Sequence, residues 1–97
     1  MITRIVKMSF DSDCIETFIE IFSIAKSKIA SFPGCSGVTL HRDILHSHIF
    51  FTYSEWESAD ALEEYRKSVL FKETWAKTKL LFNDKPQAWS IQKVMQG

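Results

Sequence analysis

The sequence predicts an α+β domain built on a four-stranded antiparallel sheet, and three observations carry that prediction. Apolar residues recur at every second position, then at helical spacing, then at every second position again, so strands and helices are interleaved. Residues 32 to 56 read Phe-Pro-Gly-Cys-Ser-Gly-Val-Thr-Leu-His-Arg-Asp, then Ile-Leu-His-Ser-His, then Ile-Phe-Phe-Thr-Tyr-Ser-Glu-Trp: a Pro-Gly turn, a strand, a short polar loop and a second strand. Both strands carry apolar side chains on both faces, and a sheet apolar on both sides must be covered twice. A chain of 97 residues makes a single domain, 1–97, with helix enough for one cover only. The other cover is most simply a second copy of the chain, so a homodimer is expected.

The first strand runs from about residue 2 to 10, with Ile2, Val6, Met8 and Phe10 on one side and Thr3, Lys7 and Ser9 on the other. Arg4 and Ile5 break the alternation, which marks a strand whose second face is not simply solvent. Asp11-Ser12-Asp13 ends it, and Asp13 followed by Glu16 resembles a capping box. Ile15, Phe18, Ile19, Phe22, Ala25 and Ile29 then share one face of a helix. Its acidic residues come early and its lysines late, as the helix dipole favours. Pro33 ends it, having no amide hydrogen and restricting Phe32. The second strand covers about 35 to 43 and the third about 48 to 56, joined by Ile44-Leu45-His46-Ser47 as a loose hairpin. Ser58 caps the next helix, whose short apolar face is Ala61, Leu62 and Tyr65. Ser68 caps a further helix over about 69 to 82, with Phe71, Trp75, Thr78 and Phe82 along one side, and Asn83-Asp84-Lys85-Pro86 ends it. The last strand covers about 88 to 95, with Trp89, Ile91, Lys93 and Met95 on one face. The order is β-α-β-β-α-β with the second helix split, the ferredoxin-like unit.

Twelve basic and twelve acidic residues cancel and form no basic stripe, so no nucleic-acid partner is expected. No apolar run is long enough to span a membrane, so no membrane partner is expected either. The N-terminal Met-Ile-Thr-Arg-Ile-Val-Lys lacks the apolar core of a signal peptide, and a cytoplasmic protein is expected. Cys14 and Cys35 read as free thiols. Together with three scattered histidines they offer no usual metal-ligand spacing, so no metal is expected. Eight Phe, three Trp and two Tyr suit a compact core, an interface or a pocket for a flat ligand.

Five short motifs then occur in order along nearly the whole chain: Phe32-Pro33-Gly34-Cys35, Leu40-His41-Arg42-Asp43, Phe51-Thr52-Tyr53-Ser54-Glu55-Trp56-Glu57-Ser58, Ala61-Leu62 and Phe71-Lys72. In that order and spacing they resemble the antibiotic biosynthesis monooxygenase family. The resemblance implies a homodimer in which two four-stranded sheets face each other and close into a dimeric α+β barrel. It also implies a ligand pocket within each subunit, between the sheet and the two C-terminal helices. Members of the family oxygenate quinol-like or polyketide substrates without metal or flavin, while others degrade haem or isomerise small signalling molecules, so the residues of the site must decide. Haem-degrading members use an Asn on the first strand, a Trp on the third element and a His shortly after the Phe-Lys pair. Here the only Asn is Asn83, the Trp position holds Tyr65 and the His position holds Trp75. The axial ligand is missing, and no haem is expected. Many other members carry a His where this chain has Tyr65 and another where it has Leu70, so a general base of the usual type is absent from both places.

The candidate pocket is aromatic: Phe22, Tyr53, Tyr65, Phe71, Trp75 and Phe82. These rings suit either a plain core or the wall of a site for a flat hydrophobic ligand. Tyr65 and His41 are the candidate catalytic residues, and Tyr53, Trp75, Phe71 and Phe22 the candidate substrate-binding residues. His41 is the histidine singled out, since burial or a carboxylate can tune one into a base; the other role open to it is structural or interfacial. His46 and His48 belong to the solvated hairpin loop. Arg42 and Asp43 read as an ion pair at the strand end, and Glu55, Trp56 and Glu57 as serving the sheet edge or a dimer contact. The leading expectation is a monooxygenase that uses no cofactor and acts on a small aromatic or quinol-type substrate. The alternative is a non-catalytic homodimer that binds a small apolar metabolite or a protein partner.

Overall fold

The computed structural model describes residues 1–97. Strand β1 (Ile2–Ser9) leads through a short 3₁₀ turn, Ser12–Cys14, into helix α1 (Ile15–Ala30). Then come β2 (Cys35–Arg42), β3 (Ile49–Trp56), α2 (Ala59–Lys67), α3 (Val69–Lys79) and β4 (Gln87–Ile91). The strands form one antiparallel sheet in the order β2-β3-β1-β4, the ferredoxin-like arrangement expected from the element order. The helices pack on one face, which we call the inner face.

Register decides which side chains that face presents. Val6 pairs with Thr52 and with Ala88, and Arg4 pairs with Ser54, so these positions look toward the helices together with Met8. The residues between them look the other way: Ile5 stands beside Tyr53 and Trp89, and Thr3 beside Glu55 and Ile91. Nothing covers that outer face. Only 10 of 97 residues are buried, and Tyr53, Trp89 and Ile91 remain 40%, 44% and 48% exposed. No helix is long and apolar enough to cross a membrane.

The inner core is Met8, Phe10, Phe18 and Phe50. The Phe10 and Phe18 rings stack with centroids 4.2 Å apart, and Phe50 meets Phe18 edge-on at 5.3 Å. Trp56 is wholly buried, its indole N–H donating to Ser54 Oγ at 2.9 Å. It is therefore a core residue and not the edge or dimer contact expected from its place at the strand end, because strand alternation turns it inward with Ser54 and Thr52.

Element ends depart from expectation in four places, each for a local reason. The Asp13–Glu16 capping box does not form: Cys14 N–H donates to Asp11 O at 2.9 Å, closing the 3₁₀ turn, and Cys14 is the N-cap of α1 without any side-chain cap. Helix α3 stops at Lys79 instead of residue 82, since Phe82 leaves it to bridge Phe10 and set its ring 5.4 Å from that ring. Strand β4 stops at Ile91, paired with Thr3, because β1 offers almost no further partners; Val94 and Met95 beyond it are exposed. Arg42 and Asp43 do not pair, because Asp43 lies just past the end of β2 and turns its carboxylate to the loop amides. The Arg42 guanidinium lies 4.6 Å from the Phe50 ring centre, and Asp43 Oδ1 accepts from the amides of Leu45 and His46 at 2.8 and 3.0 Å. Those two amides hold the Asp43 carboxyl below the usual carboxylate range.

Candidate functional site

Between the inner face and the helices lies a cavity of about 320 Å³, at the small end of the range ligand sites occupy. Arg4, Val6 and Met8 of β1, Thr52 and Ser54 of β3 and Ala88 of β4 form its floor. Phe22 of α1, Tyr65 and Arg66 of α2, and Phe71 and Trp75 of α3 form its roof.

Local sequence explains how the roof is held. Ser68 ends one helix and begins the next. Its Oγ accepts from Phe71 N–H at 3.1 Å and donates to Tyr65 O at 2.6 Å, so one hydroxyl sets the backbone of two cavity residues. The rings then run on in contact. Tyr65 stacks on Trp56 at 4.8 Å and meets Phe71 edge-on at 5.2 Å; Phe71 lies nearly parallel to Trp75 at 5.8 Å, and Trp75 meets Phe82 at 5.4 Å. Such a series fixes each ring through its neighbours and gives the cavity a rigid wall. Thr78, also at the cavity, satisfies its buried hydroxyl by donating to Thr74 O at 2.8 Å.

Four of the six candidate residues come together here: Phe22, Tyr65, Phe71 and Trp75 all line the cavity. Tyr53 and His41 do not. Thr52 and Ser54 take the inward positions of β3, so Tyr53 between them points outward, and a shift of one residue on a strand exchanges faces. On the outer face the Tyr53 hydroxyl donates to Glu55 Oε1 at 3.1 Å, and His41 Nε2 lies 2.9 Å from Thr39 Oγ1. The His41 and Tyr53 rings meet edge-on at 6.4 Å. The sheet separates this polar group from the cavity.

Two charged residues not among the candidates also line the cavity, Arg4 and Arg66. The signal for Arg4 was present, since a charged residue among the inward positions of the first strand broke its alternation. Arg66 left no signal beyond following Tyr65. Arg4 Nη1 donates to Ser90 Oγ at 3.0 Å and has no carboxylate within ion-pair distance. Arg66 meets Glu63 at 3.4 Å on the half-exposed face of α2. Burial and then the neighbouring Arg66 charge hold Arg4 below the usual arginine range, though still a cation. Burial pushes the Tyr65 phenol up to about 12, so at neutral pH it is a protonated donor. Its backbone carbonyl is engaged by Ser68, while its hydroxyl takes no protein partner. No His, Asp or Glu lines the cavity, and no three such groups or cysteines gather anywhere in the chain to hold a metal.

Fold and cavity together define a small ferredoxin-like α+β domain with an aromatic-walled, ligand-sized chamber under its helices. The antibiotic biosynthesis monooxygenase family model matches residues 1–77, and the chain belongs to that family. Solved structures agree. An antibiotic biosynthesis monooxygenase is similar with a TM-score of 0.91 at 16% identity, over 98% of this chain and 100% of that one. Rv0793 of Mycobacterium tuberculosis is similar with a TM-score of 0.89 at 14% identity, over 98% and 96%. A Bordetella bronchiseptica protein, itself provisionally assigned as an antibiotic biosynthesis monooxygenase, is similar with a TM-score of 0.86 at 26% identity, over 97% of each chain. No curated protein matches the sequence.

Proposed function

We propose that this protein is a cytoplasmic, homodimeric monooxygenase that oxidises a small aromatic or quinol-type substrate in the cavity without a cofactor. The observation that carries the reading is the aromatic wall of Phe22, Phe71 and Trp75 beside the neutral Tyr65 phenol, in a family that includes monooxygenases. In that chemistry the substrate supplies the electrons. The anion of an electron-rich phenol passes electrons to dioxygen and a ring carbon forms a bond to oxygen. The resulting hydroperoxide loses water as its O–O bond breaks and the ring C–H proton leaves. The balance is phenol plus dioxygen to quinone plus water. The cavity binds the ring, keeps water from it and offers Tyr65 as a hydrogen-bond donor to the oxygen that gains charge.

A second reading, a non-catalytic small-molecule-binding dimer, is favoured by one observation: no carboxylate or histidine lines the cavity to act as a base. Oxygen uptake separates the two. Purified protein is presented with a panel of hydroquinones and polyphenols, and protein-dependent uptake with quinone formation supports the enzyme. Tyr65→Phe, which keeps the ring, should then turn over about 10²- to 10³-fold more slowly, the usual weight of one lost donor to a developing charge. Uptake no faster than the uncatalysed rate for every compound leaves the binding protein as the reading.

A further inference from the structure

The cavity carries positive charge that the protein does not neutralise. Arg4 reaches it from the floor and Arg66 from the roof, against a lining otherwise apolar or neutral. The protein spends one Arg4 contact on a neutral hydroxyl, Ser90 Oγ at 3.0 Å, and gives it no carboxylate. The one nearby acid, Glu63, is paired to Arg66 at 3.4 Å and lies outside the lining. Two cations thus line one cavity with a single nearby carboxylate for balance. A partly buried guanidinium with free N–H donors, whose charge a second arginine opposes, is suited to an anionic partner. The planar fork of arginine matches an ionised oxygen group in two-point contact, which a neutral ligand does not reproduce.

We infer that the ligand of this cavity is a flat one- or two-ring molecule bearing an anionic oxygen group, and that Arg4 and Arg66 select its ionised form. Its ring lies against Phe71 and Trp75, and its carboxylate or enolate oxygens meet the guanidinium groups. The inference rests on the reading of the cavity as the ligand site, and is independent of whether oxygenation follows. Where that group is the reacting enolate oxygen, it also answers the missing base: a substrate that arrives ionised there needs no side chain to deprotonate it.

Calorimetric titration with matched pairs tests this. One pair is naphthoate and naphthamide, equal in shape and differing in charge; the other is the enolate of hydroxynaphthoquinone and its neutral parent naphthoquinone. In the wild-type protein the anion of at least one pair should bind about ten-fold or more tightly than its neutral partner, the weight of a charge-assisted contact. Preference in the first pair identifies a carboxylate head group, and in the second the reacting oxygen itself. Arg4→Gln should abolish the preference while leaving the neutral compound's affinity in place, and Arg66→Gln, on an exposed helix face, should reduce it if the first variant folds poorly. Equal binding within both pairs, a preference that survives both substitutions, or no binding by any of the four would overturn the inference. Anion preference without oxygen uptake would leave it standing and remove only the monooxygenase reading.

Discussion

Replacing Gly34 with alanine probes how the roof of the cavity is seated. Gly34 follows Pro33 with φ of +85°, a conformation that costs an L residue about 1–2 kcal/mol. Its carbonyl accepts from Glu57 N–H at 2.8 Å, which draws the turn against the junction of β3 and α2. A methyl group there would stand 2.5 Å from the Ala61 Cβ and 3.3 Å from the Glu57 Cγ. The first contact is with a short, rigid side chain on a helix, so backbone must move, and overpacking of this kind costs about 1–3 kcal/mol. The two costs add to roughly 2–5 kcal/mol, a fall in melting temperature of about 10 °C or more for a domain of this size. Urea unfolding of Gly34→Ala, Ala61→Gly and the double variant separates them. Ala61→Gly alone should lose about 1 kcal/mol of helix propensity. In the double variant the methyl clash is gone while the backbone cost stays, so the double should be about 1–3 kcal/mol more stable than the sum of the singles predicts. Strict additivity, or a Gly34→Ala protein of wild-type stability, would refute the account of a helix seated by close approach.

Three more expectations follow from the same structure. With Tyr53, Trp89 and Ile91 exposed on an uncovered sheet face, light scattering should give a dimer mass at micromolar concentration, and Trp89→Glu should shift it toward the monomer; a wild-type monomer would remove the proposed assembly. The Tyr65 phenol is raised from 10.0 to about 12 on folding, so its contribution is complete below pH 10 and is lost as pH rises toward 12, where the unfolded chain has already released the proton that the native one keeps. Stability to urea measured across that interval should therefore fall less steeply for Tyr65→Phe than for wild type, and identical slopes would contradict the burial of the phenol. Trp75→Ala should weaken naphthoate binding by about 1–3 kcal/mol, the value of a lost aromatic anchor; unchanged affinity in a folded variant would exclude Trp75 from the wall.

Most of the fold was legible because its signals are local. The inward face of α1, the serine caps at Ser58 and Ser68 and the stop at Pro33 need only neighbouring residues, and the element order then fixes the topology. What failed depended on parity or on distant partners. Tyr53 reads as a cavity residue because a chain apolar on both strand faces gives no clue which face is inner; only pairing with β1 settles that Thr52 and Ser54 look in. The end of α3 differs from the spacing because Phe82 continues the helical pattern and yet is drawn off by Phe10, more than seventy residues earlier. Of the site, the aromatic part could be read from spacing. The charged part could not, since Arg4 and Arg66 converge only when β1 and α2 are brought together.

The alternation of β1 and β3 has an evolutionary consequence. Thr52 and Ser54 touch the ligand chamber while Phe51, Tyr53 and Glu55, which alternate with them, look to the surface we propose for assembly. Substitutions at one parity therefore reach specificity and those at the other reach self-association, with a single layer of backbone as partition. A lineage can retune what the chamber accepts without renegotiating its partner, and the reverse. A one-residue insertion in either strand, by contrast, would scramble both traits together, so diversification within this scaffold is expected to proceed by replacement along the strands and to confine length changes to the 43–48 loop and the tail beyond Ile91.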